Sequence, residues 1–244
     1  MPALLLIAHG SRDPRHAATV AALVEEVRAQ RPGTEVATAY LDHCAPRIPK
    51  VVGRLADAVA VPLLLNRAFH AKHDIPAALR AVGDRLPVAD VLGPSPLLLA
   101  ALDRRLAEAG LAVGSPAARA RTGVVLAAAG SSDPAADAAT RAVAAEWRRT
   151  RGWAAVEVAY ASAAGPRVPD ALAALRTAGA ERTAVAPYLL APGLLPDRIA
   201  AAAEDAGADL VADVLGPSPE LAALLLHRYD QARHAADTTP ALTA

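Results

Sequence analysis

The sequence is short of the residues that would tie it to several large classes of protein. It has one cysteine, Cys44. One thiol makes neither an internal disulfide nor a cysteine-rich metal site. Aromatic residues are 3% of the chain while apolar residues are 54%, so any core must be built from Ala, Val and Leu. Lys and Arg number 25, as do Asp and Glu. A net charge of zero offers no field to draw in nucleic acid or an anionic membrane. No apolar run nears the roughly 20 residues that span a bilayer. The apolar start, Ala3 to Ala8, is too short for a secretory h-region and has no basic flank. These absences predict a cytoplasmic protein with neither nucleic acid nor membrane as a partner.

What the chain has instead is a repeat. Leu6-Ile7-Ala8-His9-Gly10-Ser11-Arg12-Asp13-Pro14 returns as Leu126-Ala127-Ala128-Ala129-Gly130-Ser131-Ser132-Asp133-Pro134. The run ADVLGPSP at 89–96 returns unchanged at 212–219. The copies differ in their histidines. His9, His16, His43, His70 and His73 lie in the first; the second reads Ala129 opposite His9 and has no histidine before His227. Residues with turn and packing roles, such as Gly10, Asp13, Pro14, Tyr40, Pro46, Arg47, Pro62 and Asp74, keep their identity. A repeat that keeps its turns and loses its histidines has kept the fold and dropped the site.

Short apolar runs alternate with longer amphipathic ones. In the first copy the pattern predicts strands at Leu4–Ala8, Glu35–Leu41, Val59–Leu65 and Val88–Leu92. Helices are expected at His16–Gln30, at Pro46–Ala58, after Asp74 with Pro76 in the first turn, and from Pro96. The second copy repeats the order. Its strands are expected near Val124–Ala128, Val156–Ala161, Thr183–Leu190 and Leu210–Leu215. Its helices are expected near Ala135–Arg151, Arg167–Ala178, Pro196–Ala206 and Pro219–His234. Strands apolar throughout and separated by helices belong to parallel sheets covered on both faces. The expected fold is α/β, with two similar lobes, each a mostly four-stranded parallel sheet, and a ligand cleft between them at the carboxyl ends of the strands. The lobes are expected as 1–115 and 116–235, divided in the Gly-, Ala-, Ser- and Pro-rich segment Gly110 to Arg121, with 236–244 a frayed tail.

His9 follows the first strand, Asp42 and His43 the second, His70 and His73 the third. Sequence-distant imidazoles and a carboxylate therefore converge on one sheet edge, as a metal site requires. Such donors suit Fe, Co, Ni and Zn and leave exchangeable positions. Opposite Asp42 the second copy reads Ser162, and His70 falls opposite Gly193 when Asp74 is set against Asp197. His16 on the first helix and His43, with Ala163 opposite, are read as solvated residues. Other chemistries lack their motifs. Ser11 has no G-x-S-x-G elbow around it. The turn has neither G-x-x-x-x-G-K-[ST] nor G-x-G-x-x-G for phosphate. His9 as a phosphate nucleophile lacks an Arg directly before it.

The pattern L-x-x-A-H-G-S-R after the first strand, A-Y-L-D with a following Pro after the second, and P-L-L-L-x-x-x-F-H-x-x-x-D-I-P after the third resembles the sirohydrochlorin chelatases. These are the cobalt- and iron-inserting enzymes of the class II chelatase superfamily, here in the two-repeat form. The resemblance implies a bilobal fold, ATP-independent insertion of Fe2+ or Co2+ (with Ni2+ or Zn2+ as in vitro substitutes), and no nucleotide. It implies that His9 and His70 bind the metal and help remove pyrrole protons. The family usually has Glu where this chain has Asp42, one methylene shorter, which favours a relay role over direct ligation. Sirohydrochlorin is fringed with carboxylates, against which Arg12, Arg67, Lys72 and Ser11 are placed; Arg15 and Arg47 lie near the same strand ends. His73 is a weaker match. With both repeats in one chain, a monomer is expected. The competing reading is a metallochaperone or tetrapyrrole carrier on the same fold, binding without turnover.

Overall fold

A computed structural model describes residues 1–66, 74–81, 86–162 and 165–238. In chain order the elements of the first repeat are β1 (Ala3–Ala8), α1 (Pro14–Gln30), β2 (Val36–Tyr40), α2 (Ile48–Val52), β3 (Ala58–Pro62), α3 (Ile75–Ala81) and α4 (Pro96–Glu108). A short helix, α5 (Pro116–Arg121), precedes β4 (Thr122–Ala128), α6 (Pro134–Arg151), β5 (Ala155–Tyr160), α7 (Val168–Thr177), β6 (Arg182–Pro187), α8 (Leu194–Asp205), β7 (Leu210–Val211) and α9 (Pro219–Thr238). The sheets are parallel, in the orders β2-β1-β3 and β5-β4-β6-β7. The central strands β1 and β4 are buried at every residue, which is why they read as unbroken apolar runs.

Both central strands leave by the same turn. Ser11 Oγ accepts from the Asp13 amide at 3.1 Å, and Asp13 caps α1 by accepting from the Arg15 amide at 2.9 Å. Ser131 and Asp133 repeat both bonds ahead of α6. A side-chain cap followed by proline at the first helical position satisfies one orphan amide and removes another.

Three expectations need correction. The helix expected over Pro46–Ala58 is only the five residues of α2, and Ala58 already belongs to β3. The Gly110–Arg121 linker holds α5, capped by Ser115 through the Ala118 amide. The fourth strand of the first sheet is reduced to one bridge, Ala60 to Val88. In the second sheet, Ala184 pairs with Leu210 and Val185 with Val211. The residue equivalent to Leu210 is Pro87. Proline has no amide to donate to a ladder, so the second pairing cannot form.

The described residues fall into two compact units that cut across the repeats: Met1–Ser95 with Pro217–Ala244, and Pro96–Gly216. The sequence suggested contiguous lobes at 1–115 and 116–235. In the structure each unit instead takes the final helix of the other repeat. In the first unit α9 packs on α1 and β3. Tyr229 is fully buried there, and its hydroxyl donates to the Pro2 carbonyl at 2.6 Å. Arg31 clasps Asp230 through two 2.7 Å bonds. In the second unit α4 packs on β6. Its Asp103, 8% exposed, accepts from the buried Trp147 indole at 2.9 Å. Arg105 donates to the Leu215 carbonyl at 2.9 and 3.0 Å. Helix α9 continues past His234 into the expected tail as far as Thr238; residues 239–244 lie outside the described residues.

Candidate functional site

The carboxyl ends of β1 and β2 are fastened together by backbone. The Leu41 amide donates to Ala8 O at 3.0 Å and the Asp42 amide to His9 O at 2.8 Å. Gly10, at φ +92°, lies against the Asp42 carbonyl, and a Cβ there would fall well inside the 3.0 Å that real Cβ atoms respect. The second copy keeps this contact between Gly130 and Ser162. Glycine is therefore required for the two turns to meet, and their meeting brings His9 beside Asp42.

His9 is half-buried, and its Nδ1 lies 2.9 Å from the Gly10 carbonyl. That bond places the proton on Nδ1 and the lone pair on Nε2. The Asp42 side chain is 56% exposed. Its Oδ1 accepts from the His43 amide at 2.8 Å and from Arg47 at 3.0 Å. Hydrogen bonding from the His43 amide, then from Arg47, lowers its pKa below the usual carboxylate range. Arg47 also donates to the Leu41 carbonyl, so this guanidinium holds the turn. Arg15 is likewise engaged, by Asp13. Arg12 is exposed, with no ion-pair partner among the described residues.

Of the two residues read as solvated, His16 is withdrawn from solvent and His43 is exposed as expected. His16 is half-buried, with its ring centroid 6.4 Å from that of Tyr40 and its buried Nδ1 without a hydrogen-bond partner among the described residues. Burial lowers its pKa, and the nearby His9 adds to the effect. The His43 ring is 32% exposed, 6.2 Å from that of His9 between centroids. The signal for both was present in the sequence: each is an imidazole of the first copy with alanine opposite it, Ala136 and Ala163, the same loss that singled out His9. Cys44 was also passed over. Its Sγ accepts from the Ser11 amide at 3.4 Å and donates to the Ser11 carbonyl at 3.1 Å, which ties the second turn to the first.

His70, His73, Arg67 and Lys72 lie outside the described residues. Among the described residues no group of three His, Cys, Asp or Glu side chains closes into a metal site. A depression of about 620 Å3 runs along α6 and β5, lined by Arg141, Arg148, Arg149, Trp153 and Glu157; it holds none of the residues singled out above. No helix among the described residues is long and apolar enough to cross a membrane.

The sequence model of the CbiX family matches residues 3–109 and again 123–232, once for each repeat. The chain is 28% identical over 242 residues to the sirohydrochlorin ferrochelatase of Priestia megaterium, covering 93% of this chain and 89% of that protein. It is 27% identical over 224 residues to the sirohydrochlorin cobaltochelatase of the same organism, covering 82% and 67%. Among solved structures, SirB from Bacillus subtilis with Fe3+ superposes with a TM-score of 0.82 over 97% of both chains at 24% identity, a likeness of fold. CbiX, described as the terminal enzyme for biosynthesis of siroheme in denitrifying bacteria, superposes with a TM-score of 0.68 at 25% identity, covering 96% of this chain and 99% of that one. The two-lobed parallel α/β fold and the family resemblance read from the motifs are both borne out.

Proposed function

The chain belongs to the CbiX family, and on that footing we propose that it is a sirohydrochlorin chelatase, inserting Fe2+ or Co2+ without a nucleotide. The observation that carries this reading is the bond from the Asp42 amide to the His9 carbonyl, which fixes an imidazole and a carboxylate at one sheet edge.

Insertion of a divalent ion into a tetrapyrrole expels two pyrrole protons and strips water from the ion. Both steps need neutral nitrogen bases and weakly held ligands near the ring centre. In this reading His9, through Nε2, and His70 hold the substrate ion and accept the protons. Asp42 stays ionised at neutral pH because the His43 amide and Arg47 stabilise its charge, so it can pass protons to solvent. Arg12, with Arg67, Lys72 and Ser11, meets the peripheral carboxylates of the macrocycle. Both repeats in one chain support a monomer. A lone thiol and the need for reduced Fe2+ support a cytoplasmic location.

The test is anaerobic multiple-turnover insertion into sirohydrochlorin, followed by absorbance, with Fe2+ and Co2+ in parallel. The expected result is continuing turnover in the wild type that collapses in His9→Ala and His70→Ala. Product that stops at one equivalent identifies a carrier and overturns the proposal.

A further inference from the structure

His43 stands out for its backbone and its position. It is the one non-glycine residue at positive φ, +59°, among the described residues. A left-handed histidine is strained and persists only where the surrounding structure imposes it, as at functional sites. Its ring lies near two groups that can ligate a metal, Asp42 and His9. Its Nε2 lies 3.4 Å from Asp42 Oδ2, longer than a well-made hydrogen bond. Two ligand atoms on one tetrahedral ion, with bonds of about 2.1 Å, lie about 3.4 Å apart. Asp42 Oδ1 is occupied by the His43 amide and Arg47, which anchors the carboxylate and presents Oδ2 to the imidazole. The His9 ring stands 6.2 Å away between centroids. Imidazoles sharing an ion sit roughly 5 Å apart at a tetrahedral angle and about 6.5 Å apart when opposed, for the same bond length.

We propose that the His43 imidazole and the Asp42 carboxylate form a docking site for the incoming hydrated divalent ion, from which it passes to His9. The proposal deepens the chelatase reading and rests on it. Docking is a ligand exchange: two aqua ligands leave to solvent, the lone pairs of His43 Nε2 and Asp42 Oδ2 take their places, and the neutral imidazole loses no proton. One nitrogen and one oxygen donor match Fe2+ and Co2+. The Asp42 and His43 side chains are 56% and 32% exposed, so an ion reaches them from solvent. The shorter carboxylate then has a physical counterpart, since the neighbouring imidazole supplies the reach that Asp42 lacks.

The test uses the full metal-free chain without tetrapyrrole. Zn2+ is added while the histidine nitrogens are followed by long-range 1H–15N spectra, and Co2+ affinity is measured by calorimetry. The expected result is a metal-induced shift at His43 Nε2 in the wild type and in His9→Ala. Adding His43→Asn to the His9→Ala background should weaken Co2+ by about tenfold or more, at least what loss of an outer-shell partner costs. Asparagine tolerates the left-handed backbone, so the turn is kept. An unmoved His43 nitrogen, or unchanged affinity on adding His43→Asn, overturns the docking site. Absent turnover with sirohydrochlorin while the His43 nitrogen still shifts sinks the chelatase reading and upholds the metal site.

Discussion

Gly10 and Asp42 meet backbone to side-chain space: the carbonyl oxygen of Asp42 occupies the place where any larger residue at position 10 would put its Cβ. That contact, with the Asp42 amide on the His9 carbonyl, sets the site's geometry before any side chain is considered.

Gly10→Ala is therefore expected to cost about 2–4 kcal/mol, because it combines left-handed strain with displacement of the Asp42 backbone. Gly33, at φ +85°, where an added Cβ would meet nothing within 4 Å among the described residues, is the control. Gly33→Ala should carry the strain alone, about 1–2 kcal/mol. Urea unfolding of both variants measures the difference. Equal costs would show that the crowding at Asp42 relaxes freely. Gly10→Ala should also lose metal insertion, since it moves Asp42 from His9.

His16 makes the metal-free protein acid-sensitive. Its pKa is lowered in the folded state, chiefly by burial, so the unfolded chain binds the proton first. The stability associated with the neutral ring is present above the unfolded value of about 6.5 and is lost as pH falls through the folded pKa. His16→Leu should flatten the stability profile below about pH 6.5, measured by denaturant unfolding at a series of pH values. An unchanged slope would assign the acid sensitivity elsewhere.

Arg31 and Asp230 fasten α9 to α1 across almost the whole length of the chain. Their side chains are 32% and 29% exposed, so solvent screens the pair. Asp230→Asn is expected to cost about 0.5–1.5 kcal/mol at neutral pH. The Arg31 hydrogen bond lowers the Asp230 pKa. The contribution is thus present above the unfolded value of about 4 and lost as pH falls through the folded one. The gap between wild type and Asp230→Asn should close in acid, and a gap that persists there would point to packing rather than charge.

Pro87→Leu places the second copy's residue in the first. The new amide at position 87 gains the Ala58 carbonyl as a ladder acceptor and should become protected in hydrogen exchange. Rapid exchange there would mean that something other than the missing amide ends the fourth strand.

The fold was legible because its instructions are local. Fully apolar runs such as Leu4–Ala8 fit only strands buried on both faces. Asp13-Pro14 and Asp133-Pro134 cap the helices that follow. The repeat itself showed His9 and Asp42 as the residues that changed while the turns did not. Tertiary structure decided the rest, through contacts between distant residues. Whether Val88 pairs along a strand or at a single bridge depends on an amide that Pro87 lacks opposite β3. Which sheet α4 and α9 cover depends on where Tyr229 and Asp103 find partners, Pro2 and Trp147, far away in the chain. Neither the left-handed turn at His43 nor the Cys44 thiol locked onto Ser11 has a periodicity to reveal it. Both arise because Gly10 lets two loops occupy adjacent space, and what a side chain does there is set by the neighbours that the fold supplies.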